Sequence, residues 1–248
     1  MELDKKNVLV TGSSGDIGSQ IALAFAKEGA NVVIHCKVNI DKGKEVVSRI
    51  EEQGVKSMLV QGDLSDEAIV EKVFLEIQEG LGNIDVLINN AGNAVLGKLE
   101  ETDISQWETS FNDNLYTAVL CSKAASTTMR DAGVGKIINI SSINGLEYHN
   151  NPNAIAYSVA KAALISFTRS LAVDLAPEIT VNAVAPGKID SSFYKAFDEK
   201  KRASIQESIP LKRFITPDEI ASTCLFLARN DMVTGQILVV DGGSSLIG

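Results

Sequence analysis

The sequence predicts an α/β chain built on one doubly wound parallel sheet of about seven strands, with helices on both faces. Three observations predict it. Short β-branched runs alternate with longer helical runs along the whole chain, which is the signature of right-handed β–α–β crossovers. The strand-like runs are almost continuously apolar, as strands covered on both faces must be. Small or polar residues gather just past the ends of several of these runs, where such sheets hold ligands.

The elements follow in order. Asn7–Thr11 reads as the first strand, and 17–29 as a helix closing at Gly29. Asn31–Cys36 is the second strand, followed by a helix over 41–53. Lys56–Gln61 is the third, followed by a helix over 66–78. Ile84–Asn89 is the fourth, and one long helix is expected from Ile104 to Arg130. Lys136–Ser142 is the fifth strand, followed by an Ala- and Leu-rich helix from Ala154 to Ala176. Ile179–Ala185 is the sixth and Gln236–Val240 the last. Between them 193–209 reads as a charged helical flap, part of a flap at about 190–209. No linker, repeat or low-complexity tract interrupts the pattern, so residues 1–248 read as a single domain.

Composition narrows the function. Apolar residues make up 45% of the 248 positions, enough for a sizeable core. The net charge of −9 argues against a nucleic-acid or anionic-membrane surface. The sequence shows neither a signal peptide nor a spanning apolar run, so a cytoplasmic location is expected. Three scattered cysteines and two histidines make neither a disulfide framework nor a zinc site, and no metal is expected.

Chemistry is written at the strand ends. Thr11-Gly-Ser-Ser-Gly-Asp-Ile-Gly18 follows a strand and opens a helix. Glycines there let backbone approach a pyrophosphate seated on the helix N-terminus. The reading is a Rossmann-type dinucleotide site; no Walker lysine supports a P-loop, and no GxSxG elbow supports a hydrolase. Tyr157 and Lys161 lie four apart on a helix and therefore share a face. A free phenol titrates near ~10, and a neighbouring cation lowers that value. The spacing alone also suits a solvated lysine beside a half-buried tyrosine.

Thr11 to Gly18, Asn89-Asn-Ala-Gly92, Asn114, Ser142, Tyr157, Lys161 and Pro186-Gly187 together resemble the short-chain dehydrogenase/reductase family. The likeness spans essentially the whole chain and is nearest to bacterial 3-oxoacyl-acyl-carrier-protein reductases. It implies a catalytic tetrad of Asn114, Ser142, Tyr157 and Lys161. Tyr157 would exchange the proton, Lys161 would lower its pKa and hold the nicotinamide ribose, Ser142 would bond the substrate oxygen, and Asn114 would hold a relay water. It also implies cofactor contacts at Gly12, Ser14, Gly15, Ile17, Gly18, Lys37, Asp63, Leu64, Asn90, Ala91, Gly92, Tyr157, Lys161, Pro186, Gly187 and Ile189. Bland roles compete: Ser141 or Ser142 as a turn cap, Asn114 as a backbone partner, Asp63 as a helix cap.

One position departs from the family turn, since Asp16 stands where a glycine is usual. A carboxylate there would repel a pyrophosphate unless it pointed away, and pointing away is the expectation. No acid stands at Cys36 at the end of the second strand and Lys37 follows it, so NADP(H) is expected over NAD(H). The implied substrate is a carbonyl compound or acyl thioester. A 3-oxoacyl thioester comes first, and a sugar, polyol or other secondary alcohol is the alternative; a sensor without turnover is the reading from another class. Lys200-Lys-Arg202 would suit an acidic carrier protein, although such runs more often face solvent. Val173 stands where carrier-protein reductases tend to carry a basic residue. A homotetramer is implied by the resemblance, and His149 reads as a loop residue.

Overall fold

The computed structural model describes residues 1–149 and 151–247. Its sheet has seven strands in the order β3-β2-β1-β4-β5-β6-β7, and every pairing is parallel. The strands are β1 (Asn7–Val10), β2 (Asn31–Cys36), β3 (Ser57–Gln61), β4 (Val86–Asn89), β5 (Gly135–Ile140), β6 (Ile179–Pro186) and β7 (Ile237–Val240). The helices are α1 (Asp16–Lys27), α2 (Ile40–Glu51), α3 (Glu67–Gly80), α4 (Ile104–Phe111), α5 (Thr117–Ala132), α6 (Ile155–Asp174), α7 (Ser192–Lys195), α8 (Glu199–Glu207) and α9 (Pro217–Arg229).

Side chains alternate across a strand, and β1 shows the consequence. Val8 and Val10 enter one core layer with Ile21 and Phe25 of α1 and Ile220 and Leu227 of α9. Leu9 enters the opposite layer with Val73 of α3, Met129 of α5 and Val181 of β6. Both faces of the central strands are thus dry, which explains their continuous apolar runs. The edge strand β7 is only partly buried.

Two expected helices are broken. The stretch from Ile104 to Arg130 is α4 and α5 joined by a π-helical turn over Asn112–Tyr116. A π turn adds a residue to the ring and re-aims the side chains on it; Asn114, on that turn, is buried. The flap is α7 and α8 rather than one helix, with Asp198 accepting the Lys201 N–H to start α8.

The strand order reverses between β1 and β4, and the two ends are tied there. Thr11 Oγ accepts the backbone N–H groups of Asn90 and Ala91 at 3.0 and 2.9 Å. Asn90 Nδ2 donates back to the Thr11 carbonyl at 2.9 Å. This crevice at the carboxyl ends of the strands is where ligands bind in open α/β sheets.

Candidate active site

The Gly-rich turn leaves β1 at Gly12, whose φ of +64° lies in the left-handed region that glycine adopts without penalty. A Cβ there would sit 2.9 Å from Ala91 Cα. His35 holds the turn: the Gly12 N–H donates to its Nδ1 and its Nε2 faces the Gly62 carbonyl, each at 3.0 Å. Burial, first, holds the imidazole below its ordinary pKa. The two contacts match a neutral ring protonated at Nε2. Sequence reasoning passed over His35, whose one signal was a histidine in an otherwise apolar strand.

α1 starts at Gly15 with no side-chain cap, so its first-turn N–H groups remain available to an anion. Gly18 has a packing role: a Cβ there would meet Asn90 Nδ2 at 2.6 Å and the Gly12 carbonyl at 2.8 Å. Asp16 points to the flap, where a carboxylate oxygen accepts the Ser192 backbone N–H at 2.6 Å. Burial opposes its ionisation. The Ser192 hydrogen bonds and the charges of Lys195 and Lys42 outweigh that and keep the carboxyl below its usual value.

Two hollows meet at Gly92 and Asn93. The outer one, about 310 Å³, is lined by Gly12, Ser14, Gly15, Lys37, Asp63 and Leu64, with Ala91 and Gly92 on its floor. Here Lys37 is not a free cation. Its Nζ pairs with Asp63 at 2.8 Å and with Asp113 at 3.4 Å, and the Asp63 hydrogen bond, first, raises its pKa. Asp63 also accepts the Ser65 N–H and hydroxyl. It does not cap the following helix, because Asp66 does.

The inner hollow, about 470 Å³, brings Ile17, Asn90, Asn114, Ser142, Tyr157, Lys161, Pro186, Gly187 and Ile189 around one cleft. Ser141 and Ser142 divide their labour. Ser141 is buried and donates to the Lys161 carbonyl at 3.0 Å, whereas Ser142 lies by the Tyr157 phenol and acts to lower its pKa. Ser142 Oγ also accepts the Asn144 N–H. Asn114 Nδ2 donates to the carbonyls of Asn93 and Ser110 at 2.8 and 2.9 Å, while its buried Oδ1 has no hydrogen-bond partner among the described residues. A Cβ on Gly92 would lie 2.6 Å from that Oδ1 and 3.2 Å from Lys161 Nζ.

Tyr157 shares this cleft with Lys161, one turn further along α6. The Lys161 Nζ donates to the Ile140 carbonyl at 2.9 Å and stands 5.7 Å from the Tyr157 ring centroid. Burial lowers the ammonium to about 8. Burial also pushes the phenol up, with Ser142 opposing it. Both groups are desolvated together, and desolvation favours the neutral form of each.

His149 lines this cleft, as does Lys188. Lys188 follows Pro186-Gly187, and no feature of the sequence singled it out. The basic run on the flap is largely engaged: Arg202 pairs with Asp190 at 2.8 Å, and Lys201 lies over the Phe197 ring. A wider hollow of about 700 Å³ lies along the loop before α6 and the outer side of that helix, without Tyr157 or Lys161. Asn150, in that loop, lies outside the described residues.

A family model described as enoyl-(acyl carrier protein) reductase matches residues 12–245. The chain belongs to the short-chain dehydrogenase/reductase family. Among short-chain dehydrogenase/reductase relatives, nodulation protein G of Azospirillum brasilense is 36% identical over 244 residues, 97% of this chain and 98% of that protein. A 3-oxoacyl-[acyl-carrier-protein] reductase FabG of Staphylococcus epidermidis is 37% identical over 241 residues, 96% of this chain and 98% of that protein. The crystal structure of a gluconate 5-dehydrogenase from Burkholderia cenocepacia in complex with NADP and tartrate superposes with a TM-score of 0.90. It is 29% identical, and the match covers 98% of this chain and 96% of that one. Members of the family are oxidoreductases of CH–OH and C=O groups that use a nicotinamide dinucleotide, and this chain is such an enzyme.

Proposed function

We propose that this chain is an NADP(H)-dependent oxidoreductase that interconverts a carbonyl and a secondary alcohol, with Tyr157 as general acid and base. The observation that carries the reading is the convergence of Tyr157, Ser142, Lys161 and Asn114 on one cleft that opens beside the Gly-rich turn. The fit to a dinucleotide rests on the uncapped start of α1, the crowded floor at Gly92 and the orphaned Asn114 Oδ1. The bound nicotinamide supplies or accepts the hydride.

The protein's own part is positioning and proton movement. Gly12, Ser14, Gly15 and Ile17 hold the pyrophosphate, with Gly18 keeping α1 close to Asn90. Asn90, Ala91, Gly92, Pro186, Gly187 and Ile189 line the path toward the reacting end. Leu64 and Asp63 border the adenine, and Lys37 the 2′-phosphate. Ser142 donates to the substrate oxygen, and the Tyr157 hydroxyl gives its proton as that oxygen gains charge. Lys161 bonds the ribose and steadies the resulting phenolate, and Asn114 returns a proton through water.

The NADP(H) preference is supported by Lys37 and by the NADP bound in the gluconate 5-dehydrogenase. Because Lys37 already serves two carboxylates, a 2′-phosphate competes for it and the preference is modest. A 3-oxoacyl thioester is supported as substrate by the Staphylococcus relative. The engagement of Arg202 and Lys201 and the exposed Val173 give an acidic carrier protein little to hold. The cleft favours the second reading, a small polar secondary alcohol or its ketone. The enzyme acts as one domain with a flap, in the cytoplasm, as a homotetramer; exposed Phe226, Leu246 and Ile247 offer apolar contact. Among the described residues no helix is long and apolar enough to cross a membrane.

The test is a panel of ketones, including an acetoacetyl thioester, with NADPH and NADH, run beside Tyr157→Phe. Substrate-dependent loss of nicotinamide absorbance that vanishes in the variant upholds the reading. Wild-type cofactor binding without turnover of any ketone overturns it in favour of a sensor.

A further inference from the structure

The inner cleft is short of negative charge in a chain whose net charge is −9. Its lining includes Lys161, Lys188 and His149, with no aspartate or glutamate among them. Lys161 is accounted for by the reaction. Lys188 is not. It is half-buried, and its Nζ donates to the Ser208 hydroxyl at 2.8 Å. Among the described residues it makes no ion pair, although Lys37, Lys136, Lys195 and Arg202 around the same sheet all do.

Three carboxylates stand near this part of the fold and all are committed, Asp16 to the Ser192 N–H and the two that follow to their own partners. Asp241 accepts the backbone N–H groups of Gly243 and Ser245 at 2.9 and 2.7 Å. Asp190 is held by Arg202. Burial lowers the Lys188 pKa; burial, first, and then the Lys188 charge depress that of His149, against the opposing charge of Asp241. A partly desolvated cation without a counter-charge is costly unless a ligand supplies one.

We propose that Lys188 is a specificity-determining residue that binds a carboxylate on the substrate, so that the enzyme acts on small hydroxy acids and keto acids of the sugar-acid kind. The assignment rests on the oxidoreductase reading above and narrows its substrate. The carboxylate pairs with the Lys188 ammonium, while Ser142 and Tyr157 engage the hydroxyl or carbonyl at the other end of the molecule. The tartrate in the gluconate 5-dehydrogenase complex is an anion of this chemistry, in a protein of the same fold. The neighbouring amides Asn93, Asn144 and Asn151 suit the intervening hydroxyl groups.

The test has a binding arm and a turnover arm, each using a charged and a neutral probe of matched size. Tartrate and threitol are titrated calorimetrically into wild type, Lys188→Met and Lys188→Arg, with NADP present. Tartrate should bind wild type at least tenfold more tightly than threitol does; Lys188→Met should erase the difference and Lys188→Arg should keep most of it. In turnover, 5-ketogluconate is compared with sorbose, which carries a hydroxymethyl group in place of the carboxylate. The ratio of the two kcat/KM values should fall at least tenfold in Lys188→Met, mainly through KM. Equal binding of tartrate by wild type and Lys188→Met overturns the assignment, whatever is turned over. So does a loss confined to NADPH affinity, measured by its fluorescence. Loss of all turnover with tartrate selectivity intact would instead sink the oxidoreductase reading and leave the anion site standing.

Discussion

The Asp16 carboxylate accepts the backbone N–H of Ser192 at 2.6 Å, joining the Gly-rich turn to the flap across 176 positions of sequence. A residue that would repel a pyrophosphate is thereby turned toward α7. Asp16→Gly should loosen the flap more than it helps the cofactor. Amide exchange over 190–209 should speed up, while NADPH affinity rises less than about tenfold, because the charge is screened and directed away. Asp16→Asn keeps an acceptor and should give an intermediate exchange rate. A hundredfold gain in affinity for Asp16→Gly would show that the carboxylate faces the phosphates.

Lys37 stands between Asp63 and Asp113, and the two sides of that balance predict opposite effects. Lys37→Gln should weaken NADPH binding by about tenfold, the worth of one charge-assisted contact to phosphate, and leave NADH nearly unchanged. Asp113→Asn should strengthen NADPH a few-fold by freeing the lysine. Fluorescence titration with both cofactors reads both signs.

Tyr157→Phe should lower kcat by roughly 10²–10⁴ and leave NADPH binding within a few-fold of wild type. Gly92→Ala is a gentler probe of the same geometry. The added methyl must displace the Asn114 carbonyl and the Lys161 ammonium, both ends of movable side chains, so the fold should survive. Turnover should fall about tenfold or more through misplacement of the two groups, with the thermal midpoint little changed.

Lys161 predicts a pH dependence with a definite sign. Its ammonium is lowered to about 8 in the folded chain and titrates near ~10.4 when unfolded. Between those values the unfolded chain binds more protons, so stability from this group rises with pH across that window. The cost of keeping Lys161 charged is fully present below about 8. Lys161→Met should therefore flatten the slope of stability against pH from about 8 to 10.4, read by urea unfolding. In wild type, kcat/KM for ketone reduction should fall above about pH 8 as the cation is lost.

Much of the fold was legible because its causes are local. The central strands, dry on both faces, must be apolar throughout, and the partly buried edge strands β3 and β7 still carry short apolar runs, so all seven are visible in the chain. Gly12 and Gly92 could be read because each stands in a short motif at the end of a strand, Thr11 to Gly18 and Asn89 to Gly92. Ser142 is preferred to Ser141 only as the second of the pair in the family likeness.

What local pattern could not determine was the company each charge keeps. The break between α4 and α5 is a π turn that carries Asn114, whose partner, the Asn93 carbonyl, lies 21 positions away. The Lys37 pairing depends on Asp113, 76 positions away. How far Lys161 and Tyr157 are desolvated, which lowers the ammonium and raises the phenol, is likewise a property of the packed cleft. Asp16 and Lys188 belong with these. The sequence by itself settled the sheet, since hydrophobic period and backbone sterics act over a few residues, and its motifs named the residues proposed for the chemistry. Only the tertiary structure decided which carboxylates are already spoken for and which cation is left facing the cleft, because electrostatic partners are chosen in space.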